Sequence, residues 1–306
     1  SAVMFIENAT VKAGRLIVIP RAQKTGYEQT QPGRGYPPRW HIKQDGDNTR
    51  WFRMGNRTMD PTISWPSPTV YVHYPEGQTL ADGETLNLNR NHPGRPNGRL
   101  TEKLGYAIIS LIRKENIDVS IDPHEAPPDR PLVSAICAHE RAVDVATLSV
   151  INMEAIWGVR VRLEMSPKNL RALSHREWGD HSQTLAMLIE TPSPMHGPIR
   201  GKATEKLLLD AIDELELRAA KAGRCFCPYD DKGYPISVRD ARHVQNYMEI
   251  SNAWNELNPD KPIIIENMPT YPEIVKNGVG HYLAVVEEPE PWLFPIPGIR
   301  EFFFNE

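Results

Sequence analysis

Apolar positions along this chain recur with changing periods, and each change marks an element. "RLIVIPRA", from Arg15 to Ala22, is a short continuous apolar run closed by proline, which predicts a buried strand. From Gln23 to Glu84 no period is sustained, and Gly, Pro, Asn, Arg and Trp accumulate. That stretch predicts a long loop region of the kind that often carries function. "LTEKLGYAIISLIRKEN" places Leu100, Leu104, Ile108, Leu111 and Ile112 on one helical face. "IDVSIDPHEA" predicts a strand that runs into a Pro-His turn, and a second helix is expected over roughly His139 to Trp157. "TLAMLIET" is another buried strand, ending at Glu190. "KATEKLLLDAIDELELRAAKAG" predicts one continuous helix with Gly223 as its C-terminal cap. Beyond Arg224 prolines are dense, with one strand at "PIIIEN" and a tail, "EPEPWLFPIPG".

Strands alternating with helices indicate a layered α/β domain. Residues 1–223 are expected to form it, with residues 224–306 as an extension packed on it. The chain has 306 residues, 40% of them hydrophobic, enough for a substantial core. A net charge of -4 gives no electrostatic case for nucleic acid. No apolar run approaches the ~18 residues of a membrane helix, and no secretion signal opens the chain. A soluble, cytoplasmic protein is the expectation, with the periplasm or secretion left open, and oligomers are possible. Of the three cysteines, Cys225 and Cys227 are two positions apart in "RCFCPYD" and read as ordinary thiols in a turn.

Three places carry chemistry. His124 follows an apolar strand, and ligands of open α/β sheets bind beyond the carboxyl ends of strands. Asp122 and Glu125 are placed to orient its imidazole. Glu190 also ends a buried strand, ahead of the turn "TPSPMHGP". A carboxylate in that setting can have a raised pKa and act as a general base. In "NLNRNHPGRPNG", Arg90 offers a two-pronged fork for a carboxylate, and Asn89 adds a neutral donor beside it.

Taken in order, "NLNRNHPGRPNG", a helix, "IDPHEA" and a strand ending "IET" resemble the zinc carboxypeptidase superfamily, in particular its succinylglutamate desuccinylase/aspartoacylase branch. The resemblance covers roughly Arg15 to Glu190. It implies a three-layer α/β sandwich with a central mixed sheet. It further implies Zn2+ on His124, Glu190 as base, Asn89 and Arg90 on the substrate carboxylate, and an arginine that polarises the scissile carbonyl. Arg57 is favoured for that last role and Arg53 comes second.

The chain departs from the family in one respect. The family's first two zinc ligands, a His-x-x-Glu pair, lie upstream of the strand corresponding to "RLIVIPRA", and "SAVMFIENATVKAG" contains no histidine. The expectation is an N-terminal segment on a partner chain, or one cut away, that brings the pair. His73 and Glu76 in "HYPEG" have the same spacing and are the fallback ligands. The function so implied is zinc-dependent hydrolysis of an amide bond next to a carboxylate, above all deacylation of an N-acyl amino acid, with a metallocarboxypeptidase as a variant. The alternative is a carboxylate-binding protein that has lost the metal.

Overall fold

A computed structural model describes residues 1–29 and 36–286 of the protein. The chain opens with α1 (Ala2–Asn8), β1 (Thr10–Ala13) and α2 (Lys24–Glu28). Two small antiparallel hairpins follow, β2 (Arg39–Lys43) with β3 (Thr49–Arg53) and β4 (Tyr71–Val72) with β5 (Thr79–Leu80). Next come α3 (Leu100–Lys114), β6 (Val119–Ala126), β7 (Ala135–Ala138), α4 (Val143–Trp157), β8 (Arg162–Met165), α5 (Ser174–Asp180) and β9 (Leu185–Pro192). The described chain closes with α6 (Glu205–Asp210), α7 (Glu214–Lys221), α8 (Ile236–Leu257), β10 (Ile264–Glu266) and α9 (Tyr271–Asn277).

The protein is mixed α/β, with its largest sheet in the order β6-β9-β7-β8. β6 runs parallel to β9 and β7 parallel to β8, while β7 and β9 are antiparallel. The sequence of β9 is apolar at nearly every position because both of its faces are covered. Met187 and Ile189 point to the side where α4 and α8 pack, through Met153, Ile250, Ala253 and Trp254. Ala186 points the other way, toward Ile109 and Ile112 of α3 and Trp178 of α5. A second core joins α1, β2, α8 and α9 around Met4, Ile42, Val244 and Ile274. Helix α8 therefore belongs to both cores, and the chain on either side of residue 223 shares them.

Four expectations need correction. "RLIVIPRA" is not a buried strand: the segment is irregular, and Leu16, Ile17 and Ile19 are exposed. Arg15 is tied to Glu115 by two hydrogen bonds of its guanidinium, and only Val18 packs against the second core. The strand carrying His124 does not break at Pro123 but continues to Ala126. Proline is tolerated there because, among the described residues, β6 pairs with β9 alone and no strand on its other edge needs the missing N–H. The buried line of α3 runs through Thr101, Gly105, Ile109 and Ile112, shifted from the apolar face read off the sequence. The helix expected from Lys202 to Gly223 is two helices, parted where Ala211 takes a left-handed φ of 52°. The Asp213 carboxylate caps the second by accepting from Leu215 N and Glu216 N. The Tyr229 hydroxyl holds the break open, donating to Ala211 O and accepting from Asp213 N. The tail beyond residue 286 lies outside the described residues.

Candidate functional site

β6 and β9 bring two of the expected residues together. They pair in parallel with His124 directly opposite Glu190, both near the carboxyl ends of their strands. Side chains of a strand alternate between faces, so His124 shares a face with Asp122 and not with Glu125. Asp122 is accordingly the residue that orients the imidazole, its Oδ2 accepting from His124 Nε2 at 2.9 Å. Glu125 turns away to an ion pair with Arg239, with His196 3.8 Å from its other oxygen.

Ser174, the first residue of α5, ties this pair to the Asn-Arg loop. Its hydroxyl donates to Asp122 Oδ2 at 2.5 Å, and its backbone N–H donates to Asn89 Oδ1 at 2.8 Å. That second bond fixes which way the Asn89 amide points, leaving Nδ2 3.3 Å from His124 Nε2. Since Asp122 takes the imidazole proton, the Asn89 NH2 keeps its hydrogens for a ligand. His243 supports the strand from α8, its Nε2 lying 3.1 Å from the His124 carbonyl and 3.2 Å from Thr191 Oγ1.

Arg90 folds back so that its guanidinium donates to the Asn89 carbonyl at 2.5 Å. Glu84 lies between it and Arg57, 3.8 Å from Arg90 Nε and 3.0 Å from Arg57 Nη2. Arg57 is thus linked to Arg90 through Glu84. The Arg53 guanidinium donates instead to the carbonyl of Glu28.

The electrostatics separate the two carboxyl groups. Burial pushes Glu190 up to about 7, outweighing the pull of His124, and its Oε2 is buried without a hydrogen-bond partner. Burial also opposes charge on Asp122, yet His124 beside it and the Ser174 hydroxyl bring it down to about 2. Burial works against protonation of His124, but the Asp122 carboxylate prevails and raises the ring to about 9. Burial lowers Arg90.

A catalytic zinc normally has three protein ligands. Among the described residues, the one group offering three donors within 4.8 Å is His139, Glu140 and Asp180, away from His124. Those acids are already neutralised: Arg176 pairs with Glu140 at 2.8 Å and Asp180 at 2.5 Å, and Arg171 with Asp180 at 2.6 Å. The fallback pair does not meet His124 either. His73 is buried with Nε2 on the His92 carbonyl, while Glu76 is exposed beside Arg171. The described residues put one histidine next to Glu190, so they do not by themselves make the zinc site that the resemblance implies.

The structure brings together Asn89, Arg90, Asp122, His124 and Glu190, which the sequence singled out, with Ser174, Glu84 and His243, which it did not. A serine opening a short helix was visible in "LSHREWG", but its partners lie 52 and 85 positions away, where no local pattern reaches. Comparison with protein-family models, with curated proteins and with solved structures finds no match to this chain.

Proposed function

We propose that the protein is a hydrolase of an amide bond next to a carboxylate, with an N-acyl amino acid as the preferred class of substrate. One observation carries the reading. Glu190 is a half-buried carboxyl, raised to about 7, with one oxygen buried and unpartnered, placed across from His124 where strands of the sheet end. A base held near neutrality suits proton abstraction from water. Arg90 and the Asn89 amide bind the substrate carboxylate, and Arg57, tied to Arg90 through Glu84, serves the developing oxyanion. Helices on both faces of a mixed sheet agree with the three-layer, carboxypeptidase-like arrangement that the resemblance implies.

Zinc belongs to this proposal only with donors beyond the described residues, and His124 is the ligand this chain would contribute. The test is Glu190→Gln on a panel of N-acyl amino acids. Turnover is expected to fall by ~10²–10⁴, the usual contribution of a general base. Near-normal turnover would remove Glu190 from the mechanism. The single histidine next to Glu190 favours a second reading, a carboxylate-binding protein. Calorimetric binding of the same compounds with no product formed, alone or with a partner chain, would establish it.

A further inference from the structure

The Cys-Phe-Cys motif has no part in this reading, and the first of its thiols lies among acids. Glu216 on α7 is fully buried at 0% exposure, and neither carboxylate oxygen has a hydrogen-bond partner among the described residues. In the loop after β6, Asp129 Oδ1 is buried and unpartnered as well. Cys225 Sγ lies 3.9 Å from the backbone carbonyl of Glu216. Gly197 closes the pocket on another side, for a Cβ there would come 2.8 Å from Glu216 Oε1. Asp213 is also near, but its oxygens are spent on the backbone N–H groups of Gly201, Leu215 and Glu216.

No protonation state satisfies Glu216 among the described residues. Ionised, it is a buried charge whose charged neighbours, Asp129 and Asp213, are both negative. Protonated, it carries an O–H that has no acceptor. Burial and these neighbours push its carboxyl up to about 7, and burial with Glu216 and Asp129 raises the Cys225 thiol. A cation resolves all of these at once. We propose that Glu216, Asp129 and Cys225, gathered where the loop after β6 meets α7 and the turn behind it, bind one divalent zinc-type ion that clasps these segments together. A thiolate with two carboxylates suits zinc or cobalt rather than magnesium or calcium. The three donor atoms do not lie within 4.8 Å of one another, so the proposed binding requires Asp129 and Cys225, both half-buried, to turn toward Glu216. The thiol proton leaves to water as the ion binds.

Cobalt(II) titration of the full chain tests this, because a cobalt–thiolate bond gives a near-ultraviolet charge-transfer band that histidine and carboxylate ligands do not. One ion per chain with that band is expected. Cys225→Ser should abolish the band, Glu216→Gln should weaken cobalt binding by more than ~10-fold, and Cys227→Ser and His124→Ala should both retain the band. Where Cys225→Ser does not fold, alkylation of the wild type serves: zinc should protect Cys225 and leave other reactive thiols unchanged. A saturated, folded protein without the band, a band that survives Cys225→Ser, or a Cys225 that zinc leaves unprotected would each overturn the proposal.

Discussion

At the scale of single residues, the candidate site depends on one carboxylate serving two donors. Asp122 Oδ2 accepts from both Ser174 and His124, while Glu190 opposite has an oxygen with no partner. That asymmetry separates a permanent anion from a base and has a consequence for stability. Folded Glu190 keeps its proton up to about pH 7, against an ordinary 4.5. Between those values the folded state binds more protons, so this group's contribution to stability falls as pH rises. Glu190→Gln lacks that loss, and its stability relative to wild type should grow from pH 4.5 to 7 and level off above. Denaturant midpoints across that range check it, and a difference that does not change with pH would mean Glu190 is not raised. Arg90→Lys keeps the charge and loses the fork. It should weaken ligands bearing a free carboxylate by ~10-fold or more, leaving amidated ones little changed in calorimetry. Equal losses on both would make Arg90 structural. The five residues legible here each end an apolar run or sit in a loop rich in Gly and Pro. Ser174 and Glu84 lack such a marker, because what they do is set by contacts across the fold.

At the scale of elements, periodicity located β9, α3 and α4 well and failed where tertiary contacts override local preference. "RLIVIPRA" has the composition of a strand, yet no strand among the described residues pairs with it, and Leu16, Ile17 and Ile19 stand in solvent. The α6–α7 break is the opposite case, for a helical pattern is interrupted by a tyrosine hydroxyl and an aspartate cap. Asp213→Ala removes the acceptor for two backbone N–H groups at the start of α7. A loss of ~0.5–2 kcal/mol is expected in urea denaturation. No loss would mean the cap is replaced by solvent.

Across the whole molecule, α8 is the element that the sequence reading did not single out. Lying in the stretch expected to pack on the domain as an extension, it runs through the main core with Ile250, Ala253 and Trp254 and through the second with Ala241 and Val244. A fragment of residues 1–223 would strip one face of the sheet of the part of its cover that α8 adds to α4. It should therefore lack cooperative unfolding and near-ultraviolet circular dichroism. A fragment that unfolds sharply would show the first 223 residues to be self-sufficient. Among the described residues no helix is long and apolar enough to cross a membrane.

The way β6 presents its side chains has a genetic corollary. Asp122 meets His124 because exactly one residue, the exposed Pro123, separates them. What the contact requires of that intervening position is parity, not identity. Any amino acid can stand there on an edge strand and leave the two partners on a common face. Losing that single codon makes the partners adjacent, and adjacent residues of a strand point to opposite sides. No rotamer repairs that. Within this strand the site is therefore indifferent to a change of letter and intolerant of a change of count.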